Sequence, residues 1–203
     1  MSENIHWKAS WIWSAGEESP RNEWRCFRRQ FHFADQYAGE PVYIKITADS
    51  RYELYVNGIT AGRGPVRSWP FELAYDEYEI GHMLQAGADN TIAVLVMHYG
   101  IPTFQYLRGR GGLLAEVGLS GGHERHVLFG TDSTWTTASH GGYDTRSSRM
   151  SCQLPFTETM DSRLWDERWK ENGFAGVGWE VAAVIGPAGM KPWTRLVKRD
   201  IPH

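Results

Sequence analysis

Arg51-Tyr52-Glu53-Leu54-Tyr55-Val56-Asn57-Gly58-Ile59-Thr60-Ala61 carries the clearest structural signal in the chain. Tyr52, Leu54 and Val56 alternate with Arg51, Glu53 and Tyr55, the period of two shown by a strand with one buried face. Asn57-Gly58 follows at once. Both residue types accept positive φ, as a type I′ turn requires, so Arg51 to Ala61 predicts a β-hairpin. Just upstream, Val42, Ile44, Ile46 and Ala48 alternate with Tyr43, Lys45 and Thr47. This predicts a second half-buried antiparallel strand.

Outward from the hairpin the signals stay extended. Ile92 to Met97 is a continuous apolar run, too short for a typical helix, and predicts a central strand covered on both faces. Leu113, Ala115, Val117 and Leu119 share one face of another strand. Val127 to Phe129, closed by Gly130, is a further one. Trp24 to Phe33 places Phe27, Phe31 and Phe33 on one side of a strand near the N-terminus. Helix is scarce. Tyr78 to Ala86 predicts one or two turns, with Ile80, Met83 and Leu84 inward and Gly87 as terminator. Asp161 to Trp169 predicts another turn. The expected class is all-β, an antiparallel β-sandwich of jelly-roll type. Residues 1–192 are expected to form this sandwich. Trp193 to His203 has no clear periodicity, a charged centre and a late proline, so it reads as a linker toward a C-terminal region outside this sequence.

Composition narrows the function. The chain has 203 residues, with 10 Trp and 22 Gly. So many indoles fit either core packing between sheets or a surface that stacks on sugars. A formal net charge of -3 excludes a basic field for nucleic acid. Arg108-Gly109-Arg110-Gly111-Gly112 accordingly reads as a strand-connecting loop rather than an RNA-binding tract. No stretch approaches the roughly 18 apolar residues of a membrane span. Met1 to Ser10 lacks the apolar region of a signal peptide, so a cytoplasmic location is expected. Cys26 and Cys152 are too few for a disulfide framework, and their pairing is left open.

Specific catalytic motifs are absent: there is no Gly-x-Ser-x-Gly elbow, P-loop or zinc-protease helix motif. His123 and His126, beside Gly121-Gly122, read as a surface hairpin rather than a metal site. Carboxylates cluster at Asp76, Glu77 and Glu79 and at Asp161, Asp166 and Glu167. Glycoside hydrolysis needs two carboxyl groups roughly 5–10 Å apart across a cleft. Asp76 and Asp161 instead fit the caps of the helical turns. No catalytic residue, metal ligand or cofactor is assigned.

Two loops carry the candidate binding chemistry. Gly62 to Phe71 is punctuated by Gly and Pro and holds Arg63, Arg67 and Trp69. His98 to Arg108 follows the buried strand directly and holds His98, Tyr99, Gln105 and Arg108. Flat rings with planar donors suit a saccharide. The same residue types are enriched in protein interfaces, so docking on a neighbouring domain is the competing reading.

The run Ile46 to Gly58, then Gly62-Arg63-Gly64-Pro65, Tyr75-Asp76, Ile92-Ala93-Val94, His98-Tyr99-Gly100 and Arg199-Asp200-Ile201-Pro202, resembles the N-terminal domain of bacterial α-L-rhamnosidases, glycoside hydrolase family 78. Gln153 to Glu158, Asp161-Ser162-Arg163 and Gly178 to Ala182 are similar to that family too. The strand ending in Tyr-Val-Asn-Gly also resembles the sugar-binding, galactose-binding-like domain of β-galactosidases and β-glucuronidases. The rhamnosidase resemblance implies a non-catalytic sandwich whose partner is a catalytic (α/α)6 barrel further along the parent chain, with rhamnose-containing glycans as a second class of partner. Independent carbohydrate binding and a purely structural interaction module are the alternatives. Some related enzymes carry a calcium-dependent rhamnose-binding module. No acidic cluster here matches its ligands, so calcium is left open.

Overall fold

The computed structural model describes residues 7–119 and 126–201. His123 and the N-terminal residues before Trp7 lie outside them. Thirteen strands are described, numbered in chain order. One sheet runs β12 (Ala183–Pro187), β1 (Ser10–Trp13), β8 (Gly112–Leu119), β3 (Val42–Asp49), β6 (Leu73–Glu79) and β13 (Leu196–Lys198), with β9 (His126–Gly130) also paired to β8. The other runs β11 (Glu180–Val181), β10 (Thr136–Ser139), β2 (Glu23–Phe33), β7 (Ala88–His98), β4 (Arg51–Val56) and β5 (Ile59–Gly64). Every pairing is antiparallel except β6 with β13.

The two sheets close over one core, as expected of a β-sandwich. Val42, Ile44, Ile46 and Ala48 of β3 and Leu113, Ala115 and Val117 of β8 face Phe27 and Phe33 of β2, Ile92, Val94 and Val96 of β7, and Tyr52, Leu54 and Val56 of β4. Strand β7 lies between β2 and β4 and is buried along Asn90–Val96, as the unbroken apolar run predicts. The hairpin β4–β5 turns on Asn57 and Gly58, at φ 51° and 82°. The Asn57 side chain does more than turn. Its Oδ1 accepts the Thr91 N–H at 2.8 Å, and its Nδ2 donates to Asn90 Oδ1 at 2.8 Å and to the Met83 carbonyl at 2.9 Å.

Four expectations need correction. Strand β3 is buried on both faces, not one. Trp7, Trp11, Leu73, Leu114 and Trp193 cover its sheet from outside. Lys45, read as solvent-facing, forms a buried ion pair with Glu116 at 2.6 Å, its ammonium 4.6 Å from the centre of the Trp7 ring. The linker expected from Trp193 onward differs too. Trp193 is fully buried and stacked on Trp11 at 3.8 Å, and Leu196–Lys198 join the sheet as β13. A short segment of mixed charge shows no periodicity because only three residues pair. Asp76 is not a helix cap: it is a fully buried residue of β6, ion-paired with Arg199 at 2.6 Å and hydrogen-bonded by the Tyr52 hydroxyl. The expected helical turns are present, as short 3₁₀ turns at Gly81–Met83, Ser162–Leu164 and Glu167–Lys170.

Asp161 and Asp166 do cap those last two turns, accepting the Arg163 and Arg168 N–H groups at 3.0 Å each. Gly87 ends the first turned segment at φ 68°. Cys26 and Cys152 are unpaired, Cys26 buried and Cys152 exposed. Among the described residues no helix is long and apolar enough to cross a membrane.

Candidate functional site

The two loops singled out in the sequence meet at one end of the sandwich, where β3 passes into β4. Between them lies a narrow pit of about 90 Å³, lined by Asp49, Arg67, Tyr99, Gln105, Tyr106 and Leu154 among others. Its floor is the buried carboxylate of Asp49. Trp193 Nε1 donates to Asp49 Oδ2 at 3.1 Å, and the Tyr106 hydroxyl donates to Oδ1. Tyr99 is nearly buried, edge-on to Tyr106 at 5.2 Å. The pit's polar centre is therefore occupied by donors of the chain itself.

His98 does not reach the pit as a free ligand group. It is the last residue of β7, fully buried, with Nδ1 3.1 Å from the Asp49 carbonyl and Nε2 3.3 Å from Ser19 Oγ. Its place is structural, because alternation along β7 puts His98 on the same inward face as Ile92, Val94 and Val96. What the loops expose is apolar. Trp69 is 55 % exposed, Phe71 58 % and Phe104 70 %. The Trp69 and Phe71 rings lie 6.0 Å apart and 12° from parallel. Arg67 bridges the loops weakly, its Nη2 3.5 Å from the Phe104 carbonyl. Gln105 is exposed at the rim and Arg108 is exposed beyond it.

Arg63 belongs elsewhere. It stands on β5 directly across from Glu53 on β4, on the outer face of the second sheet. There a broader groove of about 600 Å³ holds Arg51, Glu53, Arg63, Tyr143 and Glu158. Tyr143 lies flat on Trp24, 3.8 Å away and 3° from parallel. Arg51 and Glu53 were legible as outward positions of an alternating strand. Tyr143 and Glu158 were not, since they come from a distant segment that folds back over the sheet.

That covering segment is pinned by Arg28. Its guanidinium donates to the Phe174 carbonyl at 2.9 Å and the Glu171 carbonyl at 3.2 Å. Burial lowers the Arg28 pKa. His140 sits under the same segment between Tyr143 and Trp165, with Nε2 3.4 Å from Glu167. Burial pulls its imidazole below the ordinary value, and Glu167 opposes this. Cys26, on the same face, has its thiol pushed up by burial. The exposed carboxylates differ. Arg168 holds Asp166 down to about 2 by direct hydrogen bonds. Among the described residues no group of three His, Cys, Asp or Glu stands close enough to hold a metal ion.

Residues 39–199 match the family model described as the α-L-rhamnosidase N-terminal domain. The chain belongs to this family. The rhamnosidase N-terminal domain described here is 53 % identical, with a TM-score of 0.92 over 98 % of its length, to part of the GH78 family rhamnosidase of Bacillus sp. GL1. It spans 20 % of that chain. The α-L-rhamnosidase of Aspergillus terreus is 21 % identical, with a TM-score of 0.73 over 94 % of this domain and 22 % of that chain. The Pleurotus ostreatus lectin shares the fold at 24 % identity and a TM-score of 0.55, over 93 % of this domain and 45 % of the lectin. No curated protein matches the domain at a significant level.

Proposed function

We propose that this N-terminal β-sandwich is a non-catalytic support for the catalytic part of an α-L-rhamnosidase-type enzyme, docking through its loop surface. One observation carries the reading: Trp69, Phe71 and Phe104 present large exposed rings beside a pit whose central carboxylate, Asp49, already accepts from Trp193 and Tyr106. A saccharide needs free hydrogen-bonding groups beside a ring. A protein partner needs apolar area with a polar rim, which Arg67, Gln105 and Arg108 supply. The occupant is a segment of the same parent chain. The Bacillus rhamnosidase has four-fifths of its length outside the matched part, ample to cover this patch.

Hydrogen exchange tests the docking. In a full-length enzyme the amides of Trp69, Phe71 and residues 103–107 should be protected relative to the 203-residue chain alone. Equal exchange in the two would refute it. The chain alone should not turn over an aryl rhamnoside.

A further inference from the structure

We propose that the groove on the outer face of the second sheet binds a neutral saccharide, independent of the docking reading; it shares Arg51, Pro65 and Val66 with the pit but is not lined by the exposed rings Trp69, Phe71 and Phe104. One wall is already rigid. Trp24 and Tyr143 are stacked 3.8 Å apart, so a ligand packing against them orders no loose ring. Strand β7 adds the apolar side chains of Leu95 and Met97. Around them stand Arg51, Glu53, Arg63 and Glu158.

The charges are arranged without being spent on each other. Glu53 and Arg63 are direct cross-strand partners, the geometry in which opposite charges pair readily. Yet Glu53 accepts the Tyr55 hydroxyl, and Arg51 reaches only the Pro65 carbonyl, at 3.4 Å. Among the described residues Arg51, Glu53, Arg63 and Glu158 form no ion pair with a protein partner. The groove is also lined by Arg199, whose charge is met by Asp76 at 2.6 Å, so the two remaining guanidinium groups and two carboxylates sum to zero and the groove selects neither anion nor cation. Planar donors and planar acceptors side by side match vicinal hydroxyls, each of which both donates and accepts. The volume, about 600 Å³, suits a small ligand, whereas the pit at about 90 Å³ does not. An anionic polymer would meet Glu53 and Glu158.

The test is an amide and indole NMR titration of the 203-residue chain. The probes are methyl α-L-rhamnoside and methyl β-D-galactoside, with glucuronate as the charged control, each to roughly 50 mM, above the millimolar range that a few hydrogen bonds support. The expected result is a saturable shift at the Trp24 indole and at residues 51–53, 61–63 and 143 with at least one neutral glycoside. Arg51→Met should weaken it about tenfold, the loss of one charged hydrogen-bonding partner. Tyr143→Phe should keep the stack and the binding. The double variant Trp69→Ser/Phe71→Ser should leave the titration unchanged, which separates this site from the docking surface. The proposal is overturned if neither neutral glycoside gives a saturable shift, or if Arg51→Met changes nothing. Protection of the groove amides only when the rest of the enzyme is attached would also overturn it, making the groove a second docking face.

Discussion

At the scale of single residues, buried carboxylates hold the site end together. Asp49 accepts from Trp193 Nε1 and from the Tyr106 hydroxyl. Asp49→Ala would leave both donors buried without a partner, at a cost of about 2–4 kcal/mol. Urea unfolding should show this as a lower midpoint, with Asp49→Asn intermediate because its carbonyl still accepts. Asp76 is a second hub. Burial, with the adjacent Asp76 charge, pushes the Tyr52 phenol far above its ordinary value, so Tyr52 remains a donor. Asp76→Ala would strand the mostly buried Arg199 and should cost roughly 3–5 kcal/mol. Neither role could be read beforehand. Asp49 looks like a strand-end residue and Asp76 like a cap, because sequence spacing does not reveal a partner more than a hundred residues away.

Among the elements, the hairpin and the covering segment behave differently. The β4–β5 turn was legible because Asn-Gly is a local requirement on φ. Gly58→Ala would place a Cβ at φ 82°, 3.0 Å from Glu171 Cγ, and should cost about 1 kcal/mol in thermal unfolding. The covering segment depends on tertiary contacts and carries a pH dependence. His140 has a folded pKa below its unfolded value of about 6.5. The unfolded state therefore binds the proton more readily as pH falls below about 6.5. The stabilising contribution is full above that pH and is lost on descending toward the folded pKa. Unfolding midpoints between pH 7 and 5 should fall less steeply in His140→Gln than in the parent chain. Equal slopes would place the pH dependence in other groups.

For the whole molecule, both outer faces of the sandwich are partly covered, and the C-terminal segment does part of the covering. Trp193 fills the space against Trp11 and Gly112, where even a Cβ on Gly112 would come within 2.5 Å of the indole. Trp193→Ala should cost about 3–5 kcal/mol. A chain ending at Pro192 loses that ring and strand β13 together, and should show a cooperative melt at least as depressed as that of Trp193→Ala. An unchanged melt would return residues 193–199 to the status of a linker.

The fold class, the hairpin, the central strand and the inward faces were legible in consecutive residues. Each of these follows from local φ preference or from the alternation of apolar side chains along a few residues. Long-range packing, by contrast, buries Lys45, brings Trp193 into the core and makes His98 structural. It alone moved Arg63 away from Arg67 and Trp69, and set Tyr143 and Glu158 beside Arg51. The reason is physical. Period and turn chemistry act within a strand and are written in consecutive residues. The cover over an outer face, and the partner of a buried charge, come from segments brought together only when the sheets close.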